Sequence, residues 1–368
     1  MKYYIIAGEA SGDLHGANLI KEIKKKDYNA VFRCWGGDLM ESEGAVIVKH
    51  IKDLAFMGFW EVLLNIRSVI NNLSFCKKDI IEFSPDAIVY IDYPGFNLRI
   101  AKWAKNFSFN NHYYISPQVW AWKESRVKIL KECLNNLYVI LPFEKKYFNE
   151  KHSLNVEYVG HPLVEHLLKL KKDPHFIEKY NLDEKKEIIT LMPGSRKQEI
   201  KKILPIFIDV VNKFKSYQFV IAAAPSIESE FYLSIVKNNS IKIIHNKTYN
   251  LLIHSKAALV TSGTATLETA LLKIPQLVCY KTSFVSFFIA KRLVKLNYIS
   301  LVNLILNKEV VKELIQKNCN AKKITEELKE LLMRKNKSIL KEYELLFKKI
   351  GNNKASKITS KLIINSIK

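Results

Sequence analysis

Short apolar runs alternate with amphipathic helical stretches through most of this 368-residue chain, and that alternation constrains its fold more than any other feature. The runs at Tyr3–Ala7, Ala87–Ile91, His112–Ile115, Leu137–Leu141, Ile188–Leu191, Phe219–Ala223, Ala257–Thr261 and Gln276–Tyr280 read as strands. A helix between two strands brings the second back parallel to the first, so the expected class is α/β with parallel sheets. Several runs end in clusters of Gly, Ser, Pro or Asp, and open parallel sheets bind ligands at the carboxyl ends of their strands. The first series closes around Tyr158-Val159-Gly160-His161-Pro162, and a polar stretch through Lys171-Lys172-Asp173-Pro174 leads into a second series at Ile188. At roughly 150 residues per domain the length also calls for two domains. Beyond about Lys308 the sequence reads as helices only, and Lys335–Lys368 as a basic amphipathic tail.

Charge is the outlier in composition. The chain has 58 Lys+Arg against 36 Asp+Glu, a net +22, which biases it toward polyanions: nucleic acid, anionic membrane or phosphorylated substrates. Runs such as Lys24-Lys25-Lys26 fit an ordinary solvated face. The cysteines, Cys34, Cys76, Cys133, Cys279 and Cys319, are odd in number, far apart and in no C-x-x-C pair, which argues against a disulfide framework or a zinc site and for a reducing compartment. The apolar run at Met1–Ala7 is too short for a signal sequence and meets Glu9 and Asp13 at once, so a cytoplasmic protein is expected. One stretch, Leu54 to Arg67, is apolar on nearly every side. Glu61, Asn65, Arg67 and Asn71 argue against a spanning helix and leave two readings: a helix buried between layers, or a membrane-interface patch built on Phe59 and Trp60 with Arg67 beside them.

The chemistry-bearing residues stand at strand ends. The first strand runs into Gly8-Glu9-Ala10-Ser11-Gly12-Asp13, a small-residue turn opening a helix, where backbone N–H groups suit a phosphate. Its spacing is neither G-x-G-x-x-G nor that of a P-loop, which weakens dinucleotide and ATPase readings. In the second half, Pro193-Gly194-Ser195-Arg196 again lies between a strand and a helix; Ser195 offers a hydroxyl and Arg196 a planar fork for phosphate. Ser262-Gly263-Thr264-Ala265 repeats the pattern, with Glu268 about one helical turn on, where a carboxylate accepts both hydroxyls of a ribose. One such loop fits a helix cap; two in one domain point to a nucleoside diphosphate. No Asp-x-Asp, His-x-x-x-His or carboxylate cluster at ligand spacing accompanies them, so no metal is expected. Asp92, at the end of Ala87–Ile91 in the segment Asp92-Tyr93-Pro94-Gly95-Phe96-Asn97, fits a turn former by itself; facing a diphosphate site across an interdomain cleft it becomes a general base. Ser116-Pro117-Gln118-Val119-Trp120-Ala121-Trp122 lines the same cleft or packs into the core.

Taken together, these five motifs in their order resemble the lipid-A-disaccharide synthase family, a resemblance that continues through Ala290–Lys295 and Tyr298–Leu304. It implies a GT-B glycosyltransferase: two Rossmann-like parallel-sheet domains facing a cleft, with acceptor on residues 1–165, UDP-sugar donor on 166–345, and a C-terminal basic helix, 346–368, returning to the first domain. The implied reaction is inverting and metal-independent. It joins UDP-2,3-diacylglucosamine to 2,3-diacylglucosamine 1-phosphate (lipid X), giving a β(1→6) disaccharide 1-phosphate and UDP. The UDP-sugar is a substrate, and no cofactor is expected. Asp92 becomes the base with Glu9 as a second catalytic candidate; Glu9, Ser11 and Asp13 shape the cleft, with Ser11 and Gly12 toward the diphosphate. Ser195, Arg196, Ser262, Gly263, Thr264 and Ala265 hold UDP, and Glu268 holds its ribose. Phe59, Trp60, Leu63 and Leu64 fall where the family has its membrane and acyl contact, implying a peripheral enzyme on the anionic cytoplasmic face of the inner membrane. The family includes homodimers with exchanged C-terminal segments. Some members carry a second Asp where this chain has Gly95. The rivals are another GT-B protein, such as a UDP-sugar 2-epimerase or the N-acetylglucosamine transferase of cell-wall lipid, and a nucleic-acid binder, which no recognised motif supports.

Overall fold

A computed structural model describes residues 1–54, 66–167, 170–237, 241–283, 287 and 296–367. Phe59, Trp60, Leu63, Leu64 and the stretch 290–295 therefore lie outside the described residues. The chain divides into two units, Met1–Glu165 with Asn352–Lys368, and His166–Gly351.

The first unit is a seven-stranded parallel sheet made of β1 (Lys2–Ala7), β2 (Val31–Gly36), β3 (Val46–His50), β4 (Ala87–Ile91), β5 (Asn110–Tyr114), β6 (Asn136–Val139) and β7 (Glu157–Tyr158), in the order β3-β2-β1-β4-β5-β6-β7. Strand β4 at its centre is apolar at every position, and β1 at every position after Lys2, because both faces are covered. Tyr4, Ile6, Ile88 and Tyr90 point into one core with Cys76, Ile80, Ile100 and Ala101 from the helices Ile66–Phe83 and Pro94–Ala104. Tyr3, Ile5, Val89 and Ile91 point into the other, with Leu19 and Ile20 of the helix Ala10–Lys24 and Ile363 and Ile364 of Ala355–Ile367. The last helix thus returns to the first unit. Its crossover is later than the sequence suggested: the helix Asn336–Ile350 buries Leu346 and Ile350 and belongs to the second unit, so residues 346–350 do too, and the chain leaves at Gly351, whose φ of 75° ends the helix.

The second unit is a six-stranded parallel sheet: β8 (Glu187–Met192), β9 (Tyr217–Ala223), β10 (Lys242–His245), β11 (Ser255–Thr261), β12 (Gln276–Tyr280) and β13 (Lys312–Ile315), in the order β10-β9-β8-β11-β12-β13. Strand β13 corrects the expectation of helices only beyond Lys308. Its sequence, Lys-Glu-Leu-Ile, carries little apolar signal because it is an edge, and its Glu313 carboxylate anchors a loop, accepting from the Ile299 and Ser300 N–H groups at 2.9 and 3.0 Å. Among the described residues no helix is long and apolar enough to cross a membrane, and all five cysteines are buried and free.

Candidate active site

Each sheet has one point where the strand order reverses. In the first unit it lies between β1 and β4, which run side by side with Ala7 opposite Ile91, so the loops that follow them, Gly8-Glu9 and Asp92-Tyr93, emerge together. Both residues of the second loop have left-handed backbones, Asp92 at φ 45° and Tyr93 at φ 49°, and beyond the neighbouring strand Ile115 stands at φ 67°. Left-handed conformations at non-glycine residues cost on the order of 1–3 kcal/mol each and persist only where surroundings over-determine them. Here they do. The Asp92 carbonyl accepts hydrogen bonds from the Tyr113 hydroxyl at 2.5 Å and the Asn97 side-chain amide at 2.7 Å. The Tyr93 ring lies flat against Gly8, where a Cβ would stand 2.4 Å from it, so only glycine admits this approach.

That clamp turns the Asp92 carboxylate outward. Loss of hydration pushes its carboxyl up to about 6, the negative charge of Glu9 adds to the push, and the Tyr93 N–H opposes it. The side chain still reaches solvent, so the shift reflects crowding around the carboxylate and not enclosure. Glu9 is exposed at the start of the helix Ala10–Lys24, with no side-chain cap bond. Ser11 is exposed beside it, whereas Gly12 is buried, and a Cβ on it would stand 3.0 Å from the Ala7 Cβ, which makes it a packing residue between helix and strand. Asp13 turns away from the loop: it is 4% exposed and accepts the N–H groups of Gly37, Leu39 and Met40 at 2.7–3.1 Å, holding the helix Asp38–Ser42 by its N-terminus. The expected place of Asp13 in the cleft is therefore corrected; its carboxylate is fully used inside. The two tryptophans after β5 part company. Trp120 is half-buried and donates to Glu144 at 3.0 Å, a buried carboxyl pushed up to about 7 by desolvation, whereas Trp122 is exposed. Gly95, where a second carboxylate would stand in some relatives, has nothing within 4 Å of a built Cβ.

The second unit repeats the geometry between β8 and β11, where Met192 lies opposite Val260. The loop after β8 carries Ser195 and Arg196, and the loop after the adjacent β11 carries Ser262, Gly263, Thr264 and Ala265. Gly194 at φ 120° makes the first turn, and Arg196 precedes the helix Lys197–Val211 with its side chain 82% exposed. A residue the sequence reading passed over shares this loop. Glu199 accepts the Ser195 N–H at 3.2 Å and stands 3.6 Å from Arg196, so the loop holds an internal anion against its own donors. Ser262 donates to the Ile299 carbonyl at 3.0 Å, and Thr264 opens the helix Thr264–Leu271 with open space over Gly263. Glu268 is half-buried one turn on; burial pushes its carboxyl up, and the Tyr249 hydroxyl, hydrogen-bonded to it, pulls it back. Nothing in the sequence tied Tyr249 to Glu268, because the two lie on different elements. Among the described residues no group of three or more His, Cys, Asp or Glu side chains is placed to hold a metal ion.

The fold is that of known nucleotide-sugar proteins. UDP-GlcNAc 2-epimerase from Neisseria meningitidis, solved bound to UDP-GlcNAc, superposes with a TM-score of 0.72 at 14% identity, covering 99% of this chain and 100% of that one. CalG4, the calicheamicin glycosyltransferase, superposes at 0.62 with 12% identity over 99% and 97%. These likenesses establish the GT-B architecture. In sequence, the lipid-A-disaccharide synthase of Coxiella burnetii (strain CbuG_Q212) is 33% identical over 99% of this chain and 98% of its own length. That of Syntrophus aciditrophicus (strain SB) is 33% identical over 99% and 97%, and that of Trichlorobacter lovleyi 35% over 89% and 87%. With the model of the lipid-A-disaccharide synthetase family matching residues 3–364, the chain belongs to that family, the glycosyltransferases of lipid A biosynthesis.

Proposed function

We propose that the chain transfers the sugar of UDP-2,3-diacylglucosamine to the 6-hydroxyl of 2,3-diacylglucosamine 1-phosphate. The acceptor oxygen forms a bond to the anomeric carbon as the bond from that carbon to the UDP phosphate oxygen breaks. Attack from the opposite face inverts the centre and leaves a β(1→6) disaccharide 1-phosphate. The acceptor proton passes to Asp92, and a positioned base of this kind contributes about 10²–10⁴ in rate. The observation that carries the reading is the strained, clamped Asp92 at the first switch point, with its carboxyl at about 6: ionised at neutral pH, yet basic enough to take a proton.

Ser195, Arg196, Ser262, Gly263, Thr264 and Ala265 bind the departing UDP, and Glu268 binds its ribose. Their hydroxyls, guanidinium and helix N-terminus supply the charge neutralisation that a metal supplies elsewhere, and no cofactor takes part. Glu9 keeps the Asp92 carboxylate basic through repulsion. The enzyme works peripherally on the anionic cytoplasmic face of the inner membrane, where both lipid substrates reside; the net +22 favours that surface. The test is incubation with UDP-2,3-diacylglucosamine in detergent micelles containing EDTA, with and without the acceptor lipid, following UDP and lipid products by mass. Acceptor-dependent UDP with a disaccharide 1-phosphate product is expected. UDP release without acceptor, or turnover of unacylated UDP-sugar only, would point instead to an epimerase-like or other GT-B reaction.

A further inference from the structure

Around the loop after β5 and the start of the helix Pro94–Ala104 stands a group of cations with no acidic partner among the described residues. Strand β5 neighbours β4, with Tyr114 opposite Ile91, so the loop that follows β5 comes out next to the Asp92 loop. In that loop the exposed Trp122 carries two cations over its ring, the Lys123 ammonium at 4.4 Å and the Arg126 guanidinium at 5.4 Å from the centroid. A third, Arg99, reaches back from the helix Pro94–Ala104 to donate to the carbonyl of Gly95, three residues after Asp92, and lies within charge–charge reach of Arg126. Arg126 in turn acts on Tyr113, whose hydroxyl holds the Asp92 carbonyl.

None of the three cations is in an ion pair among the described residues, although Lys128, Lys145, Lys146 and Lys151 nearby in the chain each find one. The carboxylate closest in sequence, Glu124, is committed elsewhere: it takes Lys151 at 2.6 Å, His152 at 2.9 Å and the Tyr147 hydroxyl at 3.2 Å. Arg126 is half-buried, and burial disfavours its charge with only Tyr113 to compensate. Like charges gathered on one aromatic ring repel each other, and the ring quadrupole offsets only part of that. A dianion between them would relieve the repulsion, and two guanidiniums present the planar donor forks that match phosphate oxygens.

We propose that Arg99, Lys123 and Arg126, on the platform of Trp122, form the binding site for the phosphate monoester of the acceptor sugar, placing the acceptor so that its free hydroxyl meets Asp92. The inference rests on the proposed reaction, to which it adds the feature that tells a phosphorylated acceptor from an unphosphorylated one. Arg99 and Arg126 are specificity residues; they take no proton.

The experiment compares 2,3-diacylglucosamine 1-phosphate with the same lipid lacking its phosphate, as acceptors in detergent micelles, for the wild-type enzyme and for Arg126→Ala, Arg99→Ala and Arg126→Lys. Each alanine variant should raise KM for the phosphorylated acceptor about 10- to 100-fold, the worth of a charge-assisted hydrogen bond or two. It should leave KM for the dephosphorylated acceptor and the affinity for UDP unchanged, and Arg126→Lys should recover part of the loss. Equal losses with both acceptors would assign the arginines a structural role and overturn the site. An unchanged phosphate preference, with the variants released from anionic vesicles, would overturn it in favour of a membrane contact. Equilibrium binding of the two lipids to the same micelles separates the site from the reaction. If no turnover occurs but Arg126→Ala still loses its preference for the phosphorylated lipid, the reaction fails and the site stands; if the variant binds both lipids as the wild type does, the site fails whatever the turnover.

Discussion

The two sheets reverse their strand order in the same way, between β1 and β4 in one and between β8 and β11 in the other, and each delivers two loops to its reversal. What they deliver is opposite. The first gathers two carboxylates, Glu9 and Asp92, and lost hydration, with the Glu9 charge behind it, raises the Asp92 pKa. The second gathers hydroxyls, backbone N–H groups and the exposed guanidinium of Arg196. Topology therefore fixes where chemistry happens, and a handful of loop residues fixes its sign. In the proposed reaction the negative switch point accepts the acceptor's proton and the positive one holds the donor's phosphates.

The hardest blow to this contrast is to neutralise the negative side. Asp92→Asn should lower kcat by about 10²–10⁴ while leaving UDP affinity intact, measured by steady-state turnover and by calorimetry. It should also raise the melting temperature at pH 7–8. Because the folded pKa of about 6 lies above the ordinary value of about 3.9, the folded state binds the extra proton more tightly; the stability this gives is full below about 3.9 and is lost as pH rises through 6. Above pH 6 the wild type therefore carries a destabilising charge that Asn lacks, and below pH 4 the two should melt alike. The same titration predicts that wild-type kcat/KM falls as pH drops through about 6. Turnover unchanged in Asp92→Asn would remove Asp92 from the base role, and a melting temperature lowered at pH 7–8 would remove the raised pKa.

Arg196→Ala attacks the positive side and should weaken UDP binding about 10- to 100-fold, with acceptor KM unmoved. The reverse ranking, acceptor loss without UDP loss, would break the division of labour between the units. A smaller effect sharpens how the negative side is held. Tyr113→Phe deletes one of the two donors on the Asp92 carbonyl, so kcat should fall about 5- to 10-fold and the acid limb of the pH profile should move, with UDP affinity unchanged. A fall in kcat with the pH profile fixed would mean Tyr113 supports the fold without positioning the base.

Strand ends were the legible part of the molecule. Central strand β4 is apolar throughout and β1 is apolar from Tyr3 on, and both stop at small or acidic residues, so the sequence displays both the strand and its loop. Strands toward the sheet margins are another matter: the edge strand β13 carries Lys312 and Glu313, and β2, next to the edge, carries Arg33, which pairs with Asp79 of the helix Ile66–Phe83. Their polar residues serve tertiary partners and erase the period-2 signal. Asp13 looked like a cleft residue because it follows Ser11 and Gly12; only the packed helix Asp38–Ser42 reveals that its carboxylate points inward. Tyr113 and Asn97 show the same limit. Each is ordinary in its own segment, and their joint hold on one carbonyl exists only once β5 lies beside β4.

Glu199 gives the finest test of the contrast, because it is a negative charge placed in the positive switch point. Its carboxylate accepts the Ser195 N–H and faces Arg196, the two groups that a UDP phosphate would use. Bound phosphate must displace it or share donors with it, and like charge opposes the sharing. Glu199→Gln removes that charge while keeping an acceptor for the Ser195 N–H, so UDP should bind a few-fold more tightly, in line with the ~0.2–1 kcal/mol that exposed ion pairs contribute. The gain should shrink as salt is raised, since the carboxylate is partly exposed and its repulsion screened. Weaker binding in Glu199→Gln would mean that the carboxylate shapes the loop around Gly194, where it packs closely against the turn, and that the second switch point owes its phosphate affinity to backbone form as much as to positive charge.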